Sequence, residues 1–200
     1  MRKTKGLLTI LVVGILAGCY VPSIHPLYTD QDLIFNPELV GQWVESEQGK
    51  SQWVFAKKEE KSYDLRITQE DKKVFVFTAR LLKVGAYHYL DLFPDTEDTT
   101  NNDFLLKNML PIHSFIRIKQ LTPTLEVEVM NTEWLTEFIK SNPKVIKHET
   151  MVVGKKDETL TVLTAQPKEL QAFLIKHEKS EKVWNKLNSL KKHAPEVKTP

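Results

Sequence analysis

The stretch Tyr63-Asp64-Leu65-Arg66-Ile67-Thr68 alternates apolar and polar side chains without interruption. In a β-strand successive side chains point to opposite faces, so this spacing predicts a strand with one apolar face and one face in water. The same alternation recurs in Leu125-Glu126-Val127-Glu128-Val129. Strands with one wet face are typical of antiparallel sheets, because parallel sheets are usually covered on both faces.

The strand pattern extends along most of the chain. Turn signals such as Lys83-Val84-Gly85 and Thr122-Pro123 separate its segments, and connections this short favour hairpins over parallel crossovers. Nine short strands need closure or a covered edge. The sequence therefore predicts a mainly β fold, either a curved antiparallel sheet or a closed barrel of about eight to nine strands. The nine candidate strands are residues 42–47, 51–57, 62–69, 73–84, 86–93, 112–120, 124–131, 145–153 and 158–164.

Two segments have a helical spacing instead. Residues 132–141 place Trp134 and Phe138 four positions apart, and Asn142-Pro143 ends the helix. This helix is predicted between the late strands. A C-terminal helical region begins near Pro167 with an apolar face. It is expected to continue or restart through Val183, Trp184, Leu187 and Leu190.

The chain begins with three basic residues in Met1-Arg2-Lys3-Thr4-Lys5, followed by an uncharged apolar run from Gly6 to Gly18. This order is typical of a secretory signal peptide, and the run is shorter than the roughly 20 apolar residues that span a bilayer. Leu16-Ala17-Gly18-Cys19, which contains the only cysteine of the chain, resembles the lipobox of bacterial lipoproteins. The alternative is an ordinary signal peptide followed by a chance cysteine.

The lipobox resemblance implies a covalent lipid and a location. Residues 1–18 would be removed, the thiol of Cys19 would carry a diacylglycerol, and the new amino terminus would be acylated. Two or three lipid chains satisfy the requirement for stable anchoring, so a transmembrane helix is not needed. Tyr20 follows the cysteine where aspartate would favour the inner membrane, and this resembles the signal for the periplasmic face of the outer membrane. No cofactor other than this lipid is expected.

The exported part of the chain is close to neutral. The full sequence has 28 Lys and Arg against 26 Asp and Glu, and three of the basic residues lie in the signal peptide. Residues 19–200 therefore have a net charge of about −1, and the sequence favours no nucleic-acid partner.

About 180 exported residues suffice for one domain. We expect residues 19–35 to be a lipidated tether and lead-in segment, with residues 20–26 as its spacer. Residues 36–192 are expected to form a single β-rich domain with C-terminal helices. Residues 193–200 are expected to be a disordered tail.

A short motif connects the chain to a known barrel family. Leu39-Val40-Gly41-Gln42-Trp43 follows Asn36-Pro37, a cap residue and a proline that predict one helical turn. Gly41 and Trp43 in this context resemble the Gly-X-Trp motif of lipocalins and related small barrels, in which the tryptophan closes one barrel end. In that family an arginine of the last strand commonly covers the tryptophan, and residues 158–164 contain none. The resemblance implies a lipocalin-like barrel and, by analogy of fold alone, a ligand-binding function.

No catalytic motif or metal-binding spacing is present in the sequence. The six histidines form no His-x-x-x-His pair, and Gly-x-Ser-x-Gly, Walker and Gly-x-Gly-x-x-Gly motifs are absent. His88 shares a predicted strand face with Leu90, and His113 opens a strand that contains Phe115. Each histidine is a candidate polar group in an apolar cavity or, alternatively, a hydrogen-bonded core residue.

Two functions of different classes are consistent with these features. The first is a non-enzymatic, membrane-anchored lipoprotein of the cell envelope that binds an apolar or lipid-like ligand. A barrel interior filled by side chains would contradict this function. The second is a structural or assembly scaffold that binds another envelope protein through an exposed surface. A hydrolase acting on envelope polymers is a third hypothesis, for which the sequence supplies no motif.

Overall fold

A computed structural model describes residues 20–45, 51–95, 112–153 and 158–193. The expected signal peptide, the lipobox cysteine and residues 194–200 of the expected tail lie outside these ranges.

The described residues form twelve β-strands and two α-helices. Helix α1 (Thr132–Ser141) has the bounds that the sequence predicts, and helix α2 (Pro167–His177) begins at the predicted proline. Neither helix, nor any other within the described ranges, has the length and hydropathy needed to cross a membrane. The strands are β1 (Pro22–Ser23), β2 (Leu33–Ile34), β3 (Gly41–Val44), β4 (Gln52–Lys57), β5 (Tyr63–Thr68), β6 (Val74–Val84), β7 (Tyr87–Pro94), β8 (His113–Gln120), β9 (Thr124–Met130), β10 (His148–Val153), β11 (Glu158–Leu163) and β12 (Trp184–Lys192).

Eight of the described strands form a closed antiparallel barrel. Hydrogen-bonded neighbours follow the order β8-β7-β6-β5-β4-β3-β12-β9. The barrel closes where β9 pairs with β8, with Arg117 opposite Glu128 and Ile118 opposite Val127. The prediction of a mainly β fold with an antiparallel barrel is confirmed.

Large apolar side chains occupy the interior of the barrel. All eight barrel strands contribute to one cluster of contacting side chains, and no member of this inner cluster is more than 4% exposed. An eight-stranded barrel has an interior just wide enough for side chains to fill. The inner cluster consists of Leu39, Trp43, Trp53, Phe55, Tyr63, Leu65, Ile67, Ala79, Leu81, Leu90, Leu92, Ile116, Ile118, Leu125, Val127, Val129 and Leu190.

A second core lies on the outside of the barrel. There α1, α2 and the N-terminal segment cover the outward side chains of β6 to β9, among them Leu82 and Tyr89. Leu135 of α1 and Leu174 of α2 are buried in this outer core. The apolar faces predicted for the two helices therefore pack against the sheet.

The C-terminal helical region ends earlier than predicted. The residues from Trp184 to Leu190, which were expected to be helical, lie in strand β12, and this strand pairs with β9 and β3. A β-bulge between Lys186 and Asn188 explains the error. The bulge shifts the strand by one residue, so Trp184 packs in the outer core whereas Leu190 packs inside the barrel. Because of the bulge, Leu187 and Leu190 both contact the inner cluster although they are three residues apart, a spacing that is typical of one face of a helix.

The predicted strands 145–153 and 158–164 lie outside the barrel. They form the hairpin of β10 and β11, and among the described strands β1 connects this hairpin to the barrel by strand pairing. Strand β1 pairs with β11 in parallel, with Ser23 opposite Leu163, and with β8 in antiparallel fashion. Strand β10 is at the end of the sheet, and no described strand pairs with its outer edge.

Candidate functional site

Gly41 and Trp43 open strand β3, where the sequence places the Gly-X-Trp motif. Gly41 has a φ of 126°, a conformation that favours glycine, and a Cβ there would lie 3.1 Å from Cε of Lys192. Trp43 is buried in the inner cluster, and its Nε1 donates a hydrogen bond to the carbonyl oxygen of Leu39 at 2.8 Å.

The cation that covers Trp43 comes from β12. Nζ of Lys192 lies 5.3 Å from the centre of the indole ring and donates a hydrogen bond to the carbonyl oxygen of Glu38 at 2.7 Å. Sequence reasoning missed this contact because it placed the last strand at residues 158–164. A lysine on the true last strand therefore lies over the tryptophan, where lipocalins commonly have an arginine.

The spacer expected at residues 20–26 is packed on the domain. Val21 is buried in the outer core, and Tyr20 packs against the inner cluster. The backbone N–H of Ile24 donates to the carbonyl oxygen of Leu163 at 2.9 Å. The expectation of a free spacer is wrong because β1 fills the gap between β8 and β11.

His113 and Asp91 bind the N-terminal segment to the barrel. Both residues are buried, and Nδ1 of His113 lies 2.6 Å from Oδ1 of Asp91. The other carboxylate oxygen accepts a hydrogen bond from the backbone N–H of Leu27 at 2.7 Å. The rings of Phe93 and Tyr28 flank the imidazole, with centroids 4.8 and 6.3 Å away. His113 therefore contacts the outer layer of the protein.

Replacing Asp91 by alanine is expected to lower the free energy of unfolding by about 3 kcal/mol. The substitution leaves a buried N–H and a buried imidazole without their partner, and each such group costs about 1–3 kcal/mol. Urea unfolding followed by circular dichroism measures the change. Asp91→Asn is the matched control, because it keeps an acceptor for Leu27 and is expected to lose less stability. Equal stability of Asp91→Ala and the parent protein would refute the role given to this carboxylate.

His88 lies far from His113 along the same ladder. Strands β7 and β8 are neighbours, but His88 pairs with Ile118 near one end of the ladder, whereas His113 lies at the other. The side chain of His88 is exposed, and partial burial together with the nearby charge of Lys83 lowers its pKa. The structure does not bring the two candidate histidines together.

A buried arginine on β8 was not predicted. Nε of Arg117 donates to Oε2 of Glu128 at 2.8 Å, and a terminal nitrogen donates to the same oxygen. The other terminal nitrogen donates to the carbonyl oxygen of Glu178 at 2.6 Å. The guanidinium lies 4.0 Å from the ring centre of Trp184 and 4.4 Å from that of Tyr87. Arg117 therefore ties the end of α2 to the barrel.

Three aromatic rings surround His177 at the end of α2. The centroids of Trp134, Phe138 and Phe173 lie 5.2, 5.0 and 4.8 Å from that of the imidazole. Nε2 of His177 is buried without a hydrogen-bond partner. Burial, and to a smaller extent the charge of Lys176, lowers the pKa of His177. The folded protein therefore favours the neutral imidazole.

Protein stability is expected to fall as the pH decreases below about 6.5, the pKa of an unperturbed histidine. In that range the unfolded state binds a proton at His177 more readily than the folded state does, so acid favours unfolding. Above this pH both states are neutral and the contribution is fully present. Urea midpoints at pH 7.5 and pH 5 measure the effect. His177→Phe should show a smaller loss, and an unchanged pH dependence in this variant would refute the assignment.

A surface pocket of about 350 Å³ lies beside the start of β10, outside the barrel. Nδ1 of His148 lies 2.9 Å from the carbonyl oxygen of Ile146 at this position. Nowhere in the described ranges do three or more His, Cys, Asp or Glu side chains form a group that could hold a metal ion. The residues that line the pocket are Pro143, Lys144, Ile146, Lys147, His148, Glu149 and Thr164.

Comparison with known proteins gave no relative of this chain: no family model matches it, and neither the curated proteins nor the solved structures yielded a match.

Proposed function

We propose that the protein is a cell-envelope lipoprotein, anchored to the outer membrane through lipid on Cys19, whose barrel is a non-enzymatic scaffold for another envelope protein. The lipobox-like sequence Leu16-Ala17-Gly18-Cys19 supports the anchor. The observation that carries the scaffold function is the dense inner cluster of the barrel.

The inner cluster favours the scaffold over a ligand carrier. Carriers of small ligands enclose cavities of about 300–1,000 Å³ lined mainly by apolar side chains. In this barrel Trp43, Trp53, Phe55 and Tyr63 all point inward and contact other members of the cluster. Because side chains occupy the space where a ligand would bind, the outer surface is the better candidate for recognition.

One observation supports the ligand carrier as a second candidate. Nε1 of Trp53 is buried inside the barrel and has no hydrogen-bond partner. An unpaired buried N–H costs about 1–3 kcal/mol. An oxygen of an apolar or lipid-like ligand that reached this nitrogen would remove that cost.

Native mass spectrometry of residues 20–200, purified without detergent, separates the two functions. If the barrel is a scaffold, we expect to observe the mass of the polypeptide alone, both as purified and after incubation with fatty acid or phospholipid. A reproducible lipid adduct would instead establish the carrier. Trp53→Phe is the matched variant, because it keeps an aromatic ring and removes the N–H. Loss of an adduct in this variant would place the ligand inside the barrel.

The anchor is tested by the intact mass of the full chain extracted from membranes. We expect the loss of residues 1–18 and the added mass of a diacylglycerol and an acyl chain. An unmodified cysteine in the processed protein would refute the lipoprotein assignment.

A further inference from the structure

The outer half of the β10–β11 hairpin exposes apolar side chains on both faces. Near the barrel the hairpin is covered, and Val162 and Leu163 are buried. Towards the connection between the two strands, Met151 is 48% exposed and Val152 is 67% exposed. Consecutive side chains of a strand point to opposite faces. Neither face at this end of the hairpin is therefore packed against the described part of the domain.

The N-terminal segment enters the sheet from the side on which this hairpin turns. Strand β1 runs parallel to β11, with Ser23 opposite Leu163. The residues before Ser23 therefore lie towards the start of β11. Thr159 is four residues before Leu163, a distance of roughly 13 Å along a strand. Cys19 is four residues before Ser23, and the connecting chain reaches at most about 14 Å. This length is sufficient to bring Cys19 level with Thr159, near the start of β11.

No free spacer separates Cys19 from the domain. Tyr20 packs against the inner cluster, Val21 is buried in the outer core, and Pro22 already pairs with β8. A lipid on Cys19 would therefore hold the domain directly on the bilayer surface, without a flexible tether.

We propose that the outer half of the β10–β11 hairpin is a second membrane contact, with Met151 and Val152 inserted among lipid headgroups beside the lipidated cysteine. This inference rests on the proposed lipidation of Cys19. The bilayer is the binding partner of this surface because a lipid on Cys19 would attach the chain to the membrane on the side of the sheet where the end of the hairpin lies. The free energy of the system falls when exposed apolar side chains leave water for the boundary between headgroups and acyl chains.

An environment-sensitive fluorophore on the full, lipidated chain tests the contact. Val152→Cys is labelled with a nitrobenzoxadiazole dye, since lipid blocks the natural thiol, and the protein is reconstituted in vesicles of phosphatidylethanolamine and phosphatidylglycerol. Val74→Cys is the matched control. Val74 is a strand valine, 52% exposed, at the end of the barrel towards which β1 runs. Doxyl-labelled phospholipids in the vesicles serve as the quencher.

We expect a blue-shifted emission at residue 152 and a severalfold greater quenching there than at residue 74. Equal quenching at the two positions, with the lipid mass present on Cys19, would overturn the hairpin contact and leave the anchor intact. Protection of residue 152 from water without quenching by lipid would also overturn it, in favour of a protein partner or a second copy of the chain. Absence of lipid on Cys19 would overturn the anchor and this inference together.

Discussion

Replacing Cys19 by alanine is expected to lower the fraction of protein retained on membranes by more than about tenfold. The lipid chains contribute about 0.8 kcal/mol per buried CH₂, whereas even a single acyl chain gives only marginal binding. The predicted contact of Met151 and Val152 is smaller than one acyl chain and would not hold the protein alone. Fractionation of cells, followed by a carbonate wash and immunoblotting, measures the retained fraction.

The same experiment distinguishes processing from anchoring. If the cysteine is required for cleavage, Cys19→Ala remains at the mass of the full 200-residue chain. Ala17→Ser is the matched control, since it keeps a small residue before the cysteine and preserves the thiol. An unprocessed variant would stay on membranes through its own apolar segment, residues 6–18, so retention is compared only for chains that have lost residues 1–18. Normal lipidation of Cys19→Ala, or full membrane retention of the processed variant, would contradict the proposed anchor.

Local patterns in the sequence predicted most of the barrel strands. Alternation in Tyr63–Thr68 indicated both the strand and its buried face, because period-two patterning reports side-chain direction directly. Helix α1 was predicted with its bounds from the spacing of Trp134 and Phe138 and from Asn142-Pro143, which ends it. In the structure the side chain of Asn131 also caps its start. These features depend on neighbours within a few residues along the chain.

The order of the strands could not be predicted in the same way. Hydrophobic patterning does not show that β1, only two residues long, joins the β10–β11 hairpin to β8. Strand β12 was interpreted as a helix because one bulge changed the spacing of its apolar residues. Both features are set by pairing between segments that are distant in sequence.

The candidate site residues show the same difference between local features and contacts between distant segments. Gly41 and Trp43 form a local pattern that can be seen in the sequence, whereas Lys192, which lies over Trp43, is more than 140 residues away and was missed. Asp91 was not recognised as the partner of His113 because their contact depends on the register of β7 and β8. A cross-strand partner becomes visible only when the register of the two strands is known.

Replacing Glu128 by leucine is expected to lower the free energy of unfolding by about 3–5 kcal/mol, because Arg117 is then buried without its counter-charge. Both side chains are buried on the outer face of the barrel, and the remaining partner of the guanidinium is a neutral carbonyl oxygen. Urea unfolding of the variant and the parent protein gives the difference. A change below about 1 kcal/mol would show that the aromatic rings and water suffice to hold the charge.

Two further variants separate the cost of an unpaired charge from the value of the ion pair itself. The double variant Arg117→Met with Glu128→Leu removes both charges, and replacing a buried pair by apolar side chains is often neutral or stabilising. We therefore expect it to recover much of the lost stability. Nζ of Lys119 also lies 3.4 Å from Oε1 of Glu128, but the side chain of Lys119 is 56% exposed. Lys119→Ala should therefore change the free energy of unfolding by about 1 kcal/mol or less. If the double variant of Arg117 and Glu128 is as unstable as Glu128→Leu alone, altered packing and not the unpaired charge explains the loss of stability.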